Sequence, residues 1–171
     1  IQTGRQHNHA FKILEETEEV NAGQKKKLFR ILEDIFPDME GKKIAVFGLS
    51  FKPKTDDMRD APSIKIVKRL QAEGARVHVF DPVAMENAKH YLSSTNITYE
   101  KSVYSAAKEA DAVLIVTEWD EFRNIDLDRL QSEMKGDIVV DGRNVFDPQE
   151  MKEKGFQYFS IGRGKIITND E

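Results

Sequence analysis

From Lys43 onward the chain alternates two hydrophobic patterns. Short apolar runs rich in β-branched residues predict strands at Lys43 to Phe47, Arg76 to Phe80, Ile97 to Tyr99, Asp111 to Thr117, Asp137 to Val140 and Gln157 to Ile161. Between them, apolar positions spaced three to four apart predict helices. One starts near Ser63, capped by Asp60 or Ser63, and ends at Gly74; the others cover Met85 to Leu92, Val103 to Glu109, Leu127 to Met134 and Pro148 to Lys154. The run Ala112-Val113-Leu114-Ile115-Val116 has no polar side, as expected of a central parallel strand covered on both faces. The alternation predicts an α/β fold, a Rossmann-like doubly wound parallel sheet of about six strands. Ahead of it, Phe11, Ile13, Leu14, Val20, Leu28, Ile31, Leu32 and Ile35 predict a long helix from His9 to Phe36. Its apolar stripe either serves an interdomain or intersubunit contact or packs back on the sheet.

Right-handed crossovers place the loops that follow the strands along one edge. With strand order 3-2-1-4-5-6, a crevice opens between the loops after the first and fourth strands. Lys52, Arg59, Glu118, Trp119 and Arg143 gather there, from separate segments of the chain. The loop after the first strand carries Lys52, Lys54 and Arg59 with Asp56, Asp57 and Asp60, so it reads as an anion site or as a solvated charged loop. Its glycines do not fit a dinucleotide fingerprint: Gly48 is followed by Ser50 and Pro53 where G-x-G-x-x-G needs glycine. Asp81 stands where such folds keep a ribose-binding carboxylate, yet Pro82 after it favours a structural turn. Trp119 is either a core aromatic or a wall of the crevice, and Arg143 either lines the crevice or is an exposed structural arginine.

Composition narrows the chemistry. The 171 residues include 26 basic and 30 acidic side chains, a net charge of −4, which gives no general attraction to nucleic acid or anionic membranes. No apolar run reaches the roughly 18 residues of a membrane span, and no signal peptide is apparent, so the chain reads as cytoplasmic. It has no cysteine, hence no thiol nucleophile and no thiolate metal site. His7, His9, His78 and His90 show no metal spacing, and Asp56-Asp57 suits backbone or arginine contacts better than acid/base work. No catalytic and no metal residue is expected in the chain.

The segments Gly48 to Ser63, Phe80-Asp81-Pro82, Thr117-Glu118-Trp119 and Asp141-Gly142-Arg143-Asn144, together with Val20-Asn21 and Gln24 ahead of them, resemble the carboxyl-terminal part of the UDP-glucose 6-dehydrogenases, in the UDP-glucose/GDP-mannose dehydrogenase family. The resemblance runs from about residue 8 to 164. It implies that residues 1–38 are the end of a central dimerisation or linker helix and that residues 39–171 form a Rossmann-like domain binding a UDP-sugar. By motif match, Phe51, Lys52 and Arg143 would contact UDP-glucose or a related nucleotide sugar, and Arg59 would approach NAD bound mainly by an amino-terminal domain. The family oxidises a sugar alcohol to a carboxylate in two NAD-dependent steps through a cysteine. The resemblance therefore implies the substrate-binding portion of such an enzyme, homodimeric through its central helix, with these residues alone inactive. UDP-N-acetylmannosamine and GDP-mannose dehydrogenases are alternatives, as is a non-catalytic nucleotide-binding module.

Overall fold

The computed structural model describes residues 28–92, 95–163 and 165–166. The greater part of the expected helix from His9 to Phe36 lies outside these residues, as do Asn21 and Gln24. Six parallel strands, β1 (Lys43–Phe47), β2 (Arg76–Phe80), β3 (Ile97–Tyr99), β4 (Ala112–Ile115), β5 (Ile138–Asp141) and β6 (Gln157–Ser160), stand in the order β3-β2-β1-β4-β5-β6. This is the doubly wound arrangement that the alternation predicts. A seventh strand, β7 (Lys165–Ile166), pairs antiparallel with β6 and has no counterpart in the sequence reading. Two residues of a polar tail carry too little pattern to mark a strand.

Because side chains alternate along a strand, each central strand feeds two cores. Ile44 and Val46 of β1 and Ala112 and Leu114 of β4 enter one; Ala45, Phe47, Val113 and Ile115 enter the other, and all eight are fully buried. The first core is covered by α1 (residues 28–35), α2 (Pro62–Ala72) and α3 (Met85–Ala88). The second is covered by α4 (Val103–Ala107), α5 (Asp120–Arg123), α6 (Leu127–Glu133) and α7 (Pro148–Glu153). The turn α5 falls in a stretch read as loop, since four residues show no helical period.

Between the two open roles of the helix ahead of the sheet, its described turns pack back on the domain. Leu28, Phe29 and Leu32 are buried in the first core. Arg69 of α2 sits over the Phe29 ring at 5.3 Å, and its guanidinium reaches Glu33 at 3.5 Å. Leu28 presses on Gly142, just past β5, so α1 spans from α2 to the strands on the far side of β1.

The start of α2 departs from expectation. Neither Asp60 nor Ser63 caps it; the N-cap is Ala61, with Pro62 in the first turn, where a missing N–H costs nothing. The buried Ser63 hydroxyl instead donates to the Leu49 carbonyl, tying the helix to the loop after β1. Gly48 opens that loop at φ +85°, where a Cβ would lie 2.6 Å from the Thr117 Cβ. The loops after β1 and β4 thus approach closely at a position that has no side chain.

Gly48→Ala therefore combines a left-handed backbone with overpacking and is expected to cost about 3 kcal/mol. Gly41 is also left-handed, at φ +71°, but faces open space; Gly41→Ala is expected to cost about 1 kcal/mol. Urea unfolding of the two variants measures both, and equal losses would mean that the Gly48 to Thr117 approach is not a constraint.

Candidate functional site

The loops after β1, β2, β4 and β5 meet at the carboxyl edge of the sheet, and one buried carboxylate organises three of them. Asp81 is 1% exposed. Its Oδ2 accepts from the Leu49 amide at 2.7 Å, the Ser50 amide and hydroxyl, each at 3.1 Å, and the Trp119 indole at 3.1 Å. Its Oδ1 accepts from Val83 at 2.9 Å and Ala84 at 2.8 Å. Six donors from three loops saturate both oxygens, which is what a buried charge requires. Of the two readings of Asp81, the structural one holds. Trp119, 7% exposed, is a core aromatic whose indole nitrogen serves this carboxylate.

Asp141, fully buried at the end of β5, has a similar role in the turn that follows it. It accepts from the amides of Arg143 at 2.9 Å, Val145 at 2.7 Å and Phe146 at 3.2 Å, and from the Tyr158 hydroxyl at 2.7 Å. Burial, then the Asp141 charge, pushes the Tyr158 phenol far above its ordinary range. Gly142 is needed because a Cβ there would strike Leu28 and lie 2.9 Å from the Ile115 carbonyl. Asn144 follows at φ +54°, a conformation asparagine tolerates, with its amide on the Ile161 carbonyl at 3.2 Å. Asp-Gly-Arg-Asn is thus a turn whose residues each meet a local demand, leaving the Arg143 side chain to project from the rim.

The loop from Leu49 to Ala61 is pinned below by fully buried Met58 and closed by the Phe51 amide on the Asp57 carbonyl at 2.8 Å. Phe51 is 48% exposed, unusual for a large apolar side chain, and Lys52 beside it is exposed. The cations of the rim differ in their partners. Arg59 makes a fork with Asp57, Nε to Oδ1 at 3.0 Å and Nη2 to Oδ2 at 2.8 Å. Its hydrogen bonds hold the partly buried Asp57 carboxyl down at about 2. Arg143 makes a second fork with Glu118 through Nε and Nη2, the latter at 2.6 Å from Oε1, and lowers the Glu118 carboxyl below its usual range. Lys54 reaches Asp120, at the start of α5, at 3.1 Å. Among the described residues Lys52 has no hydrogen bond or ion pair of its side chain.

All five residues placed in the crevice by sequence reasoning lie on this carboxyl edge, in the loops after β1, β4 and β5. Those loops belong to neighbouring strands, and the Thr117 hydroxyl bonds the Ser50 carbonyl across the seam at 2.6 Å. Sequence reasoning gave Asp56-Asp57 to backbone or arginine contacts, as Asp57 makes with Arg59, but named neither arginine pairing. Nothing in Glu118 or Asp57 taken alone signals which arginine it will hold, although the i, i+2 spacing of Asp57 and Arg59 hints at one. It also missed Asn87, whose amide bonds the Asp56 carbonyl at 2.8 Å and joins α3 to the same loop.

The site does not suit a dinucleotide. The Leu49 and Ser50 amides, which would have to face a pyrophosphate, point inward to Asp81, and the carboxylate that would take a ribose hydroxyl has no accepting capacity left. It suits an anion met by side chains. Among the described residues no group of acidic, histidine or cysteine side chains could hold a metal ion, and no helix is long and apolar enough to cross a membrane.

Asp81→Ala strands several buried donors and is expected to lower the unfolding free energy by about 3 to 5 kcal/mol. Asp128, whose 72% exposed side chain pairs with Lys154, is a control expected to cost less than about 1 kcal/mol as alanine. Comparable losses in denaturant titrations would show that the Asp81 hub is no more than a surface contact. For Asp57 the sign is that of a depressed acid: its contact with Arg59 is complete above the ordinary aspartate value of 3.8 and is lost as pH falls through about 2. Carbon-13 titration of the Asp57 carboxyl should report that midpoint, and Arg59→Ala should return it to the ordinary range; an unchanged midpoint would remove the fork as its cause.

The sequence profile of the UDP-glucose/GDP-mannose dehydrogenase family, UDP binding domain, matches residues 45–148. The UDP-glucose 6-dehydrogenase of Rhizobium meliloti is 44% identical over 164 residues, 95% of this chain and 37% of that protein. The UDP-glucose 6-dehydrogenase of Pseudomonas aeruginosa is 39% identical over 168 residues, again 95% of this chain and 37% of that protein. Among solved structures, a UDP-glucose dehydrogenase from Pyrobaculum islandicum superposes with a TM-score of 0.78 at 30% identity, over 93% of this chain and 34% of that one. The chain therefore spans a little over a third of the length of these curated relatives. With the matched residues holding the end of β1, β2 to β5 and every loop of the rim, the chain belongs to the UDP-glucose/GDP-mannose dehydrogenase family and carries its UDP binding domain.

Proposed function

We propose that this chain is the UDP-sugar-binding part of an NAD-dependent UDP-glucose 6-dehydrogenase, which converts UDP-glucose to UDP-glucuronate. The observation that carries the reading is the rim itself: Lys52, unpaired among the described residues, and Arg143, held in a carboxylate fork, stand on the same edge of the sheet, in the loops after β1 and β5, the two strands that flank β4. Lys52 is a mobile point charge that meets a diphosphate, Phe51 offers an exposed ring beside it, and Arg143 supplies directed N–H donors. The chain's own contribution is to bind and orient the nucleotide sugar. Oxidation in two steps needs a hydride acceptor and a nucleophile, and this sequence has no cysteine to serve as one.

NAD is assigned mainly to residues outside this chain, in keeping with the inward-turned amides and the saturated Asp81. Arg59, with a guanidinium exposed at the rim, is the residue proposed to approach it from this side. Residues 1–38 are proposed as the end of a linker helix through which two copies of the parent associate.

A UDP-N-acetylmannosamine dehydrogenase is the second reading, supported by the UDP-D-ManNAc dehydrogenase structure from Pyrococcus horikoshii, 30% identical with a TM-score of 0.64. UDP-glucose is preferred because the relatives named above for it are 44% and 39% identical and its structural neighbour superposes at 0.78.

Calorimetric titration with UDP, UDP-glucose, GDP and NAD tests the assignment. UDP and UDP-glucose should bind in preference to GDP and NAD, and Lys52→Ala or Arg143→Ala should each weaken UDP-glucose about tenfold, the loss of one charge-assisted contact. No NADH should form from UDP-glucose and NAD with this chain alone. Equal weak binding of all four nucleotides, unaffected by either substitution, would mean the rim is only a charged surface.

A further inference from the structure

We infer that Glu118 is a positioning residue for nucleotide-sugar recognition, holding the Arg143 guanidinium in one orientation at the rim. The inference rests on the proposed role of Arg143 as a UDP-sugar contact. A guanidinium carries five N–H donors, and Glu118 takes one on Nε and one on Nη2, leaving two on Nη1 and one on Nη2, with a free edge between those nitrogens, for a ligand.

The pair differs from an ordinary surface ion pair, in which two long side chains must first be ordered. Both backbones are already fixed. Glu118 lies between Thr117, buried with its hydroxyl on the Ser50 carbonyl, and Trp119, buried with its indole on Asp81. The Arg143 amide is held by Asp141, and the Gly142 amide by the Ile115 carbonyl at 2.9 Å. The side chains are themselves partly buried, Arg143 at 39% and Glu118 at 29% exposure. The fork therefore selects one arginine rotamer, and a ligand that uses the free edge does not meet the cost of ordering it. Without Glu118 that cost returns at binding. It amounts to about 0.5 to 1.5 kcal/mol for a long side chain, a two- to tenfold loss of affinity.

The test is a double-mutant cycle on the whole 171-residue chain, read by calorimetric titration of UDP-glucose, with melting temperatures measured for every variant. Glu118→Ala should weaken UDP-glucose about fivefold with the melting temperature nearly unchanged. Glu118→Gln, which keeps an acceptor for one of the two bonds, should recover some of the loss. Combined with Arg143→Ala, Glu118→Ala should add nothing further, because its effect passes through that side chain. Unchanged or tighter binding in Glu118→Ala, or losses that add in the double variant, would overturn the inference while leaving Arg143 as a contact. If Arg143→Ala alone leaves affinity unchanged, or the unsubstituted chain takes up no UDP-glucose, the reading beneath it fails and the inference falls with it.

Discussion

A single carboxylate, that of Asp81, decides how the carboxyl edge of this sheet can be used. Removing a charge from water is tolerable only when its lone pairs are satisfied, and here six N–H and O–H groups from the loops after β1, β2 and β4 do so. The three loops consequently behave as one body. In a dinucleotide fold the equivalent carboxylate faces a ribose, and the backbone of the first loop faces a pyrophosphate. Here both are turned inward. The fold has kept the topology of a nucleotide-binding sheet and given up its backbone-based recognition, so whatever binds must be gripped by side chains that stand on top of the locked loops.

Those side chains divide the electrostatic work. Arg59 and Arg143 sit in carboxylate forks, Arg59 with Asp57 and Arg143 with Glu118, which fix their direction and cancel much of their charge. Lys52 is left with charge and reach but little fixed geometry. Such a rim suits a ligand with a localised negative group beside polar groups that want directed donors, as the proposed nucleotide sugar has. The exposed Phe51 ring adds apolar surface next to the lysine.

Much of this was legible in the residues. Strand positions follow from apolar runs that are buried on both faces, such as Ala112 to Ile115 and Lys43 to Phe47, the strand order is the usual one of a doubly wound sheet, and right-handed crossovers put the loops on one edge, so the edge carrying the site could be placed without coordinates. Ends of elements were less legible, because they are set by contacts distant in sequence. Ser63 looks like a helix cap but spends its hydroxyl on Leu49, and β4 ends at Ile115 rather than Thr117, whose hydroxyl bonds the Ser50 carbonyl of the neighbouring loop. The strand β7 was invisible, being two residues whose pairing with β6 depends on tertiary position. At the site, the cations could be found from composition and loop placement, but their forks could not. Arg143 and Glu118 are 25 residues apart, and only the adjacency of β4 and β5 brings them together.

The helix ahead of the sheet has a structural task as well as the one proposed for it between subunits. Its described turns lie along α2 and press Leu28 onto Gly142, immediately before Arg143. The Leu28 contact gives the helix a physical connection to the turn that carries Arg143. The central claim, that the locked loops present one recognition edge, is tested most directly by mapping amide chemical-shift changes while UDP is added to the nitrogen-15-labelled chain. The account predicts changes centred on Phe51, Lys52, Glu118 and Arg143; changes centred instead on the opposite edge, around Lys43, Lys108 and Asp111, would contradict it.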